Sequence, residues 1–145
     1  MAVARSLVGA WRLVSCEYRL EKGGVWHPFG LKPSGRLVYT RGGRMIAMVM
    51  DSRRPLCASG GLFDPTDAEL ASSARGFVAY SGRWEMKGGQ VVHRVDISLF
   101  PNWVGTRQAR FVAFDGKGRL ELSTRPFLLK GKRQTARLLW EREKP

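Results

Sequence analysis

Between residues 80 and 124 apolar and polar side chains alternate through four segments divided by turn signals. Residues two apart share a face of a β-strand. In the run Val91-Val92-His93-Arg94-Val95-Asp96-Ile97-Ser98-Leu99 the pattern therefore predicts an inward face of Val91, His93, Val95, Ile97 and Leu99, with Val92, Arg94, Asp96 and Ser98 outward. A titratable imidazole then sits on an otherwise aliphatic wall. Extended along the chain, the same pattern predicts strands at about 9–21, 25–29 with 35–40, 44–50, 78–87, 90–99, 106–114, 119–124 and 135–142. Gly23-Gly24, Gly42-Gly43, Gly88-Gly89 and Asp115-Gly116-Lys117-Gly118 supply the positive φ angles that tight hairpins between them need. The prediction is an all-β, antiparallel meander of about eight strands.

One stretch interrupts the meander. Between Asp51 and Gly76, residues Pro55, Gly60 and Gly61 exclude a continuous strand, and Asp64-Pro65-Thr66-Asp67-Ala68-Glu69 reads as a helix start. Asp64 is the expected cap, Pro65 suits the first helical position, and Asp67 and Glu69 complement the helix dipole. Leu70, Ala74 and Phe77 fall on one face, so this short helix either covers a barrel mouth or packs on the outer wall. Eight short strands fit a sandwich or a closed barrel, and closure removes exposed edges. A barrel of this size is either packed solid or holds one small ligand.

The 145 residues suit a single domain, 1–145, with 43% hydrophobic and 26% charged residues, as expected of a folded chain. No apolar run approaches the roughly 20 residues of a membrane span. Residues 1–8 lack the pattern of a secretory leader, which leads to the expectation of a cytoplasmic protein. Cys16 and Cys57 form no CxxC or Cys/His cluster, and His27 and His93 are far apart, so neither a metal site nor a cofactor is expected. The net charge of +13 is the compositional outlier. Its bases are scattered over nearly every segment, with 18 arginines against 7 lysines, which favours a solvated basic surface over a nucleic-acid footprint.

Several segments together resemble the small bacterial and fungal lipocalin-like domain family. They are Leu7-Val8-Gly9-Ala10-Trp11-Arg12-Leu13-Val14-Ser15, Gly35-Arg36-Leu37-Val38-Tyr39-Thr40, Tyr80-Ser81-Gly82-Arg83-Trp84-Glu85, Ser98-Leu99-Phe100-Pro101-Asn102-Trp103-Val104-Gly105-Thr106, Leu122-Ser123-Thr124 and Trp140-Glu141-Arg142. The resemblance covers nearly the whole chain, and the segment from Ser98 to Thr106 is its most specific part. It implies a calycin-type, up-and-down lipocalin-like β-barrel with an internal apolar cavity. It also implies that Trp11 closes one barrel end by stacking on Arg142 or Arg137. The family's biochemical role is mostly unassigned, and some members accompany biosynthetic systems for polyketide-like metabolites.

His93 is the main candidate for chemistry, because a neutral imidazole among Val91, Val95 and Ile97 either serves as a general base or hydrogen-bonds a ligand. Its alternative is a core histidine satisfied by a neighbour. Tyr39 shares a face with Leu37, and Tyr80 shares one with Trp84 and Met86, which places both phenols as polar anchors for a pocket or as ordinary wall residues. In 107–114 two registers remain open: one brings Gln108 and Arg110 inward, where Arg110 meets a ligand carboxylate or phenolate, and the other leaves Arg110 solvated. Asn102 and Trp103 occupy a turn that either lines a barrel mouth or is purely structural, and Met45, Met48 and Met50 offer a soft wall. Glu85 and Asp96 do not form an acid–base pair with His93, because Asp96 lies on the opposite face.

Three functions compete on these grounds. The first is a barrel binding a small apolar or weakly acidic molecule, aromatic in the simplest case, with Tyr39, Tyr80, Trp84, His93, Trp103, Gln108 and Arg110 as the ligand-contacting set. The second is a cofactor-independent isomerase, cyclase or dehydratase of a polyketide-like metabolite, with His93 as the catalytic acid or base. The third, a nucleic-acid or anionic-surface module, rests on charge alone. The lack of a P-loop, a Gly-x-Ser-x-Gly elbow or a GxGxxG fingerprint leaves nucleotide enzymes and serine hydrolases without support. Ligand identity and oligomeric state are not encoded in any of these patterns.

Overall fold

In the computed structural model, which describes residues 2–145, the chain is organised around one antiparallel sheet. Its strands are β1 (Gly9–Leu20), β2 (Val25–Trp26), β3 (Ser34–Tyr39), β4 (Arg44–Met50), β5 (Phe77–Lys87), β6 (Gln90–Ser98), β7 (Arg107–Phe114), β8 (Leu120–Ser123), β9 (Phe127–Leu129) and β10 (Lys132–Arg142). Eight of them close an up-and-down barrel in the order β1-β3-β4-β5-β6-β7-β8-β10, with β10 pairing back onto β1 from Trp11↔Arg142 to Leu20↔Gln134. The two short strands extend its rim. β2 lies beside the second half of β1, and β9, which the alternation does not reveal, lies beside the start of β10.

Two helices flank the wall: α1 (Ala2–Leu7) and α2 (Asp67–Arg75). The cap of α2 is Thr66 rather than the expected Asp64. Thr66 Oγ1 accepts from the Glu69 amide at 3.2 Å while the Glu69 carboxylate accepts from the Thr66 amide at 2.9 Å, so the reciprocal pair satisfies two otherwise orphaned donors. Phe77 belongs not to this helix but to the start of β5, where the Arg54 guanidinium sits 4.9 Å from its ring. No residue of α2 is buried.

Two bulges decide which side chains face inward. In β1, Leu13 pairs with Trp140 and Ser15 with Leu139, so Val14 is an extra residue; the inward set changes from Trp11 and Leu13 to Cys16 and Tyr18. In β6, Val95 pairs with Gly82 and Ile97 with Ser81, so Asp96 is extra. Val91, His93 and Val95 are buried as the alternation predicts, but beyond the bulge the inward assignment fails: Ile97 is 69% and Leu99 48% exposed. Gly82 permits the close approach, because a Cβ there would run into the Arg94 carbonyl. The expected methionine wall is also corrected. Met45, Ala47 and Val49 face in, whereas Met48 is exposed on the opposite face of the same alternating strand.

One end of the barrel is filled by the buried side chains of Leu7, Trp11, Met45, Val91 and Leu120. There Trp11 Nε1 donates to the Leu7 carbonyl at 2.9 Å, and the Arg142 guanidinium lies 4.3 Å above the indole while donating to the carbonyls of Val8 at 2.9 Å and Ser6 at 2.7 Å. Of the two arginines considered for Trp11, Arg142 is the partner; Arg137 pairs with Glu121 at 2.7 Å. Gly9 has φ +131° and a Cβ there would fall 2.6 Å from an Arg142 nitrogen, which is why this strand opens on glycine. On the outer wall Arg44, Arg83, Arg94 and Arg107 stand directly opposite one another across β4, β5, β6 and β7.

Candidate functional site

Away from the packed end, the barrel encloses a mostly apolar cavity of about 600 Å³. That volume lies within the roughly 300–1,000 Å³ of small-molecule sites, so the barrel is not packed solid. Its apolar wall comes from alternate residues of the strands, with Ala47 and Val49 from β4, Leu122 from β8, and Ala136 and Leu138 from β10. Aromatic side chains Tyr18, Phe29, Trp103, Phe127 and Trp140 complete it.

His93 is 1% exposed and lines this cavity from the middle of β6. Both of its ring nitrogens are engaged: Nε2 lies 2.6 Å from Tyr39 Oη and Nδ1 lies 2.7 Å from Tyr80 Oη. The strands supply this arrangement. Tyr80 is two register positions beyond Gly82 on β5, next to β6, while Tyr39 closes β3 opposite Gly9 and Met45 at the packed end. Tyr80 lines the cavity with His93, and Tyr39 stands behind them, its ring 4.8 Å from that of Trp84.

Electrostatics keep this group of three neutral. Burial, reinforced by the Arg110 guanidinium, pushes the His93 imidazole down to about 3. Burial raises both Tyr39 and Tyr80 above the ordinary phenol value, with Arg110 working in the opposite direction. Among the described residues no carboxylate lies within ion-pairing distance of Arg110, and no aspartate or glutamate lines the cavity. The thiol of Cys16, also on the wall, is pushed up to about 12 by burial and then by Glu17, which leaves it protonated and unreactive.

The structure brings together most of the expected set. Gln108 pairs across β6 and β7 with His93, which selects the register that turns Gln108 and Arg110 inward; both line the cavity with Tyr80, His93 and Trp103. Trp103 belongs to a single 3-10 turn, Pro101–Trp103, and meets the Tyr80 ring edge-on at 5.6 Å. Asn102 is exposed and does not line the cavity. Trp84 does not line it either: it packs on Tyr39 and donates to the Thr40 carbonyl at 3.0 Å, on the far side of the histidine. Helix α2 also contributes no lining residue.

Sequence reasoning missed Cys16, Tyr18, Phe29, Arg125, Phe127 and Trp140. The Val14 bulge hides Cys16 and Tyr18, because strict alternation from Trp11 sends both outward. Phe29 and Arg125 lie outside any strand, and Phe127 lies on the unpredicted β9.

The family model for the lipocalin-like domain matches residues 8–143, almost the entire barrel. The chain belongs to the lipocalin-like domain family. The match takes in both the Gly-x-Trp end and the cavity strands of this lipocalin-like domain. Over 107 residues this lipocalin-like chain is 37% identical to the 4'-hydroxy-3'-methoxypropiophenone carrier protein ppsC of Aspergillus oryzae, an alignment covering 68% of this chain and 96% of that relative. Among solved structures it is similar to a lipocalin-like protein from Bacteroides uniformis, with TM-score 0.49 and 14% identity over 95% of this chain and 99% of the other. A protein from Bacteroides eggerthii gives TM-score 0.47 and 13% identity over 94% of this chain and 99% of the other.

Proposed function

We propose that this barrel binds and carries a small aromatic metabolite bearing an oxygen acceptor, rather than transforming it. The observation that carries the reading is the cavity itself: about 600 Å³, walled largely by aromatic and aliphatic side chains, with Tyr80, His93, Gln108 and Arg110 among its polar contacts and Gln90, Arg107, Thr124 and Arg125 also on its lining. Such a pocket buries a one-ring or two-ring ligand and orients it by few hydrogen bonds. The name of the Aspergillus oryzae relative, a carrier of a hydroxylated, methoxylated aryl ketone, supports the same ligand class.

Catalysis by His93 has less support. Both ring nitrogens are already bonded to phenols, and an imidazole whose pKa is about 3 is a weak base near neutral pH. Proton transfer to a ligand from His93 would have to pass through Tyr80.

The test is titration with 4'-hydroxy-3'-methoxypropiophenone, followed by calorimetry and by the fluorescence of Trp103 and Trp140, which line the cavity. We expect saturable one-to-one binding and recovery of the aryl ketone chemically unchanged. Absence of binding up to millimolar ligand overturns the ligand class, and conversion of the ketone overturns the carrier reading in favour of an enzyme.

A further inference from the structure

The hydrogen inventory of Tyr39, His93 and Tyr80 has a direction. The three neutral groups carry three polar hydrogens: one on each phenol and one on the imidazole. Two are consumed in the bonds between Tyr39 Oη and Nε2 and between Tyr80 Oη and Nδ1, at 2.6 and 2.7 Å. One hydrogen remains. It resides on whichever phenol accepts from the histidine N–H, and the tautomer of the ring decides which phenol that is.

The two ends are not equivalent. Tyr39 Oη makes no other hydrogen bond among the described residues; its side chain is 1% exposed, lies outside the cavity lining and is covered by Trp84. A spare hydrogen there would be a buried donor without an acceptor, an arrangement folded proteins avoid. Tyr80 lines the cavity, where a ligand oxygen or water can accept.

We propose that His93 is fixed as the Nδ1–H tautomer, accepting from Tyr39 and donating to Tyr80, so that Tyr80 presents its hydroxyl hydrogen to the carbonyl oxygen of an aryl ketone in the cavity. Tyr39 is then a positioning residue, and Tyr80 is the group that reads the ligand. The rest of the lining agrees in sign. Among the described residues Trp140 Nε1 is a buried donor with no partner, Arg110 adds a cation without a carboxylate partner, and no acidic side chain faces the space. A pocket so rich in donors selects neutral or anionic oxygen acceptors and rejects ammonium groups. This selectivity rests on the barrel being a ligand carrier; the tautomer does not.

Two measurements on the whole protein separate these claims. Long-range proton–nitrogen NMR of the ligand-free protein reads the tautomer directly, since His27 is the only other histidine and His93→Gln assigns the signals. We expect a protonated Nδ1 and an unprotonated Nε2 at pH 7; a protonated Nε2 overturns the proposal. Tyr39→Phe removes the donor to Nε2, and loss of the fixed tautomer in that variant supports its positioning role, whereas an unchanged spectrum overturns it. The second measurement compares propiophenone with propylbenzene, which lacks the carbonyl. Tyr80→Phe is expected to weaken propiophenone roughly tenfold, the effect of one lost hydrogen bond, and to leave propylbenzene unchanged. Equal effects on both probes overturn the donor role of Tyr80. Failure of both probes to bind the unaltered protein overturns the carrier reading, while the NMR result still decides the tautomer.

Discussion

Protonating His93 would create a buried imidazolium within reach of the Arg110 field, with Tyr39 and Tyr80 its only hydrogen-bond partners among the described residues. The unfolded chain has no such obstacle and takes up a proton near the ordinary histidine value of 6.5. Because the folded-state value is depressed, this contribution to stability is complete above pH 6.5 and is lost as pH falls toward about 3. The slope from this one group is at most about 1.4 kcal/mol per pH unit. Urea unfolding at pH 7, 5.5 and 4.5 checks it: the natural protein is expected to lose stability on acidification faster than His93→Gln, which retains hydrogen-bonding capacity but cannot titrate. Part of this site was legible in the sequence: alternation places His93 on an apolar face of β6 and offers Tyr80 on β5, but it leaves two registers open for β7, and it is the pairing of His93 with Gln108 that turns Gln108 and Arg110 inward. That Tyr39 backs the histidine while Trp84 lies beyond the cavity was not legible, because periodicity gives the face of a strand and not the depth along a barrel.

The strands were read more accurately than their irregularities. Alternation located all eight barrel strands, but the extra residues Val14 and Asp96 reverse the facing of everything beyond them, and nothing in local composition marks them. The helix was placed correctly and capped two residues too early, because a Thr-x-x-Glu box outcompeted the Asp-Pro start. The Gly-x-Trp end is held by side-chain bonds from the last strand to the carbonyls of Ser6, within α1, and Val8, just after it. Arg142→Ala removes both bonds and the stacking on Trp11, and is expected to cost about 2 kcal/mol. Chemical denaturation gives the cost, and hydrogen exchange is expected to show the α1 amides losing protection first. Aryl-ketone affinity is expected to stay unchanged, since Trp11 and Arg142 lie outside the cavity lining.

The charge of the molecule is uneven in its effect. Arg94 is paired with Glu85 at 2.8 Å and Arg44 with Asp96 at 3.7 Å, but among the described residues Arg83 and Arg107 have no carboxylate partner in the row that crosses β4 to β7. Like charges opposite one another on adjacent strands destabilise a sheet by a few tenths of a kcal/mol to about 1 kcal/mol per pair. Arg83→Gln is therefore expected to raise stability by about 0.5 kcal/mol at low ionic strength. The gain should vanish near 1 M salt, where screening acts over about 3 Å, and thermal unfolding at the two salt concentrations measures both. The seam between β1 and β10 acts on the whole molecule in another way. Its nine residue pairs join the most distant strands of the wall, so it closes the largest loop in the fold. Contacts of such long sequence range slow folding, and until they form there is no sealed interior. On a nascent chain His93 must therefore remain wet and freely titrating until β10 has emerged. In an acidified refolding mixture the final zipping of the wall must expel a proton, which couples the rate of closure to pH.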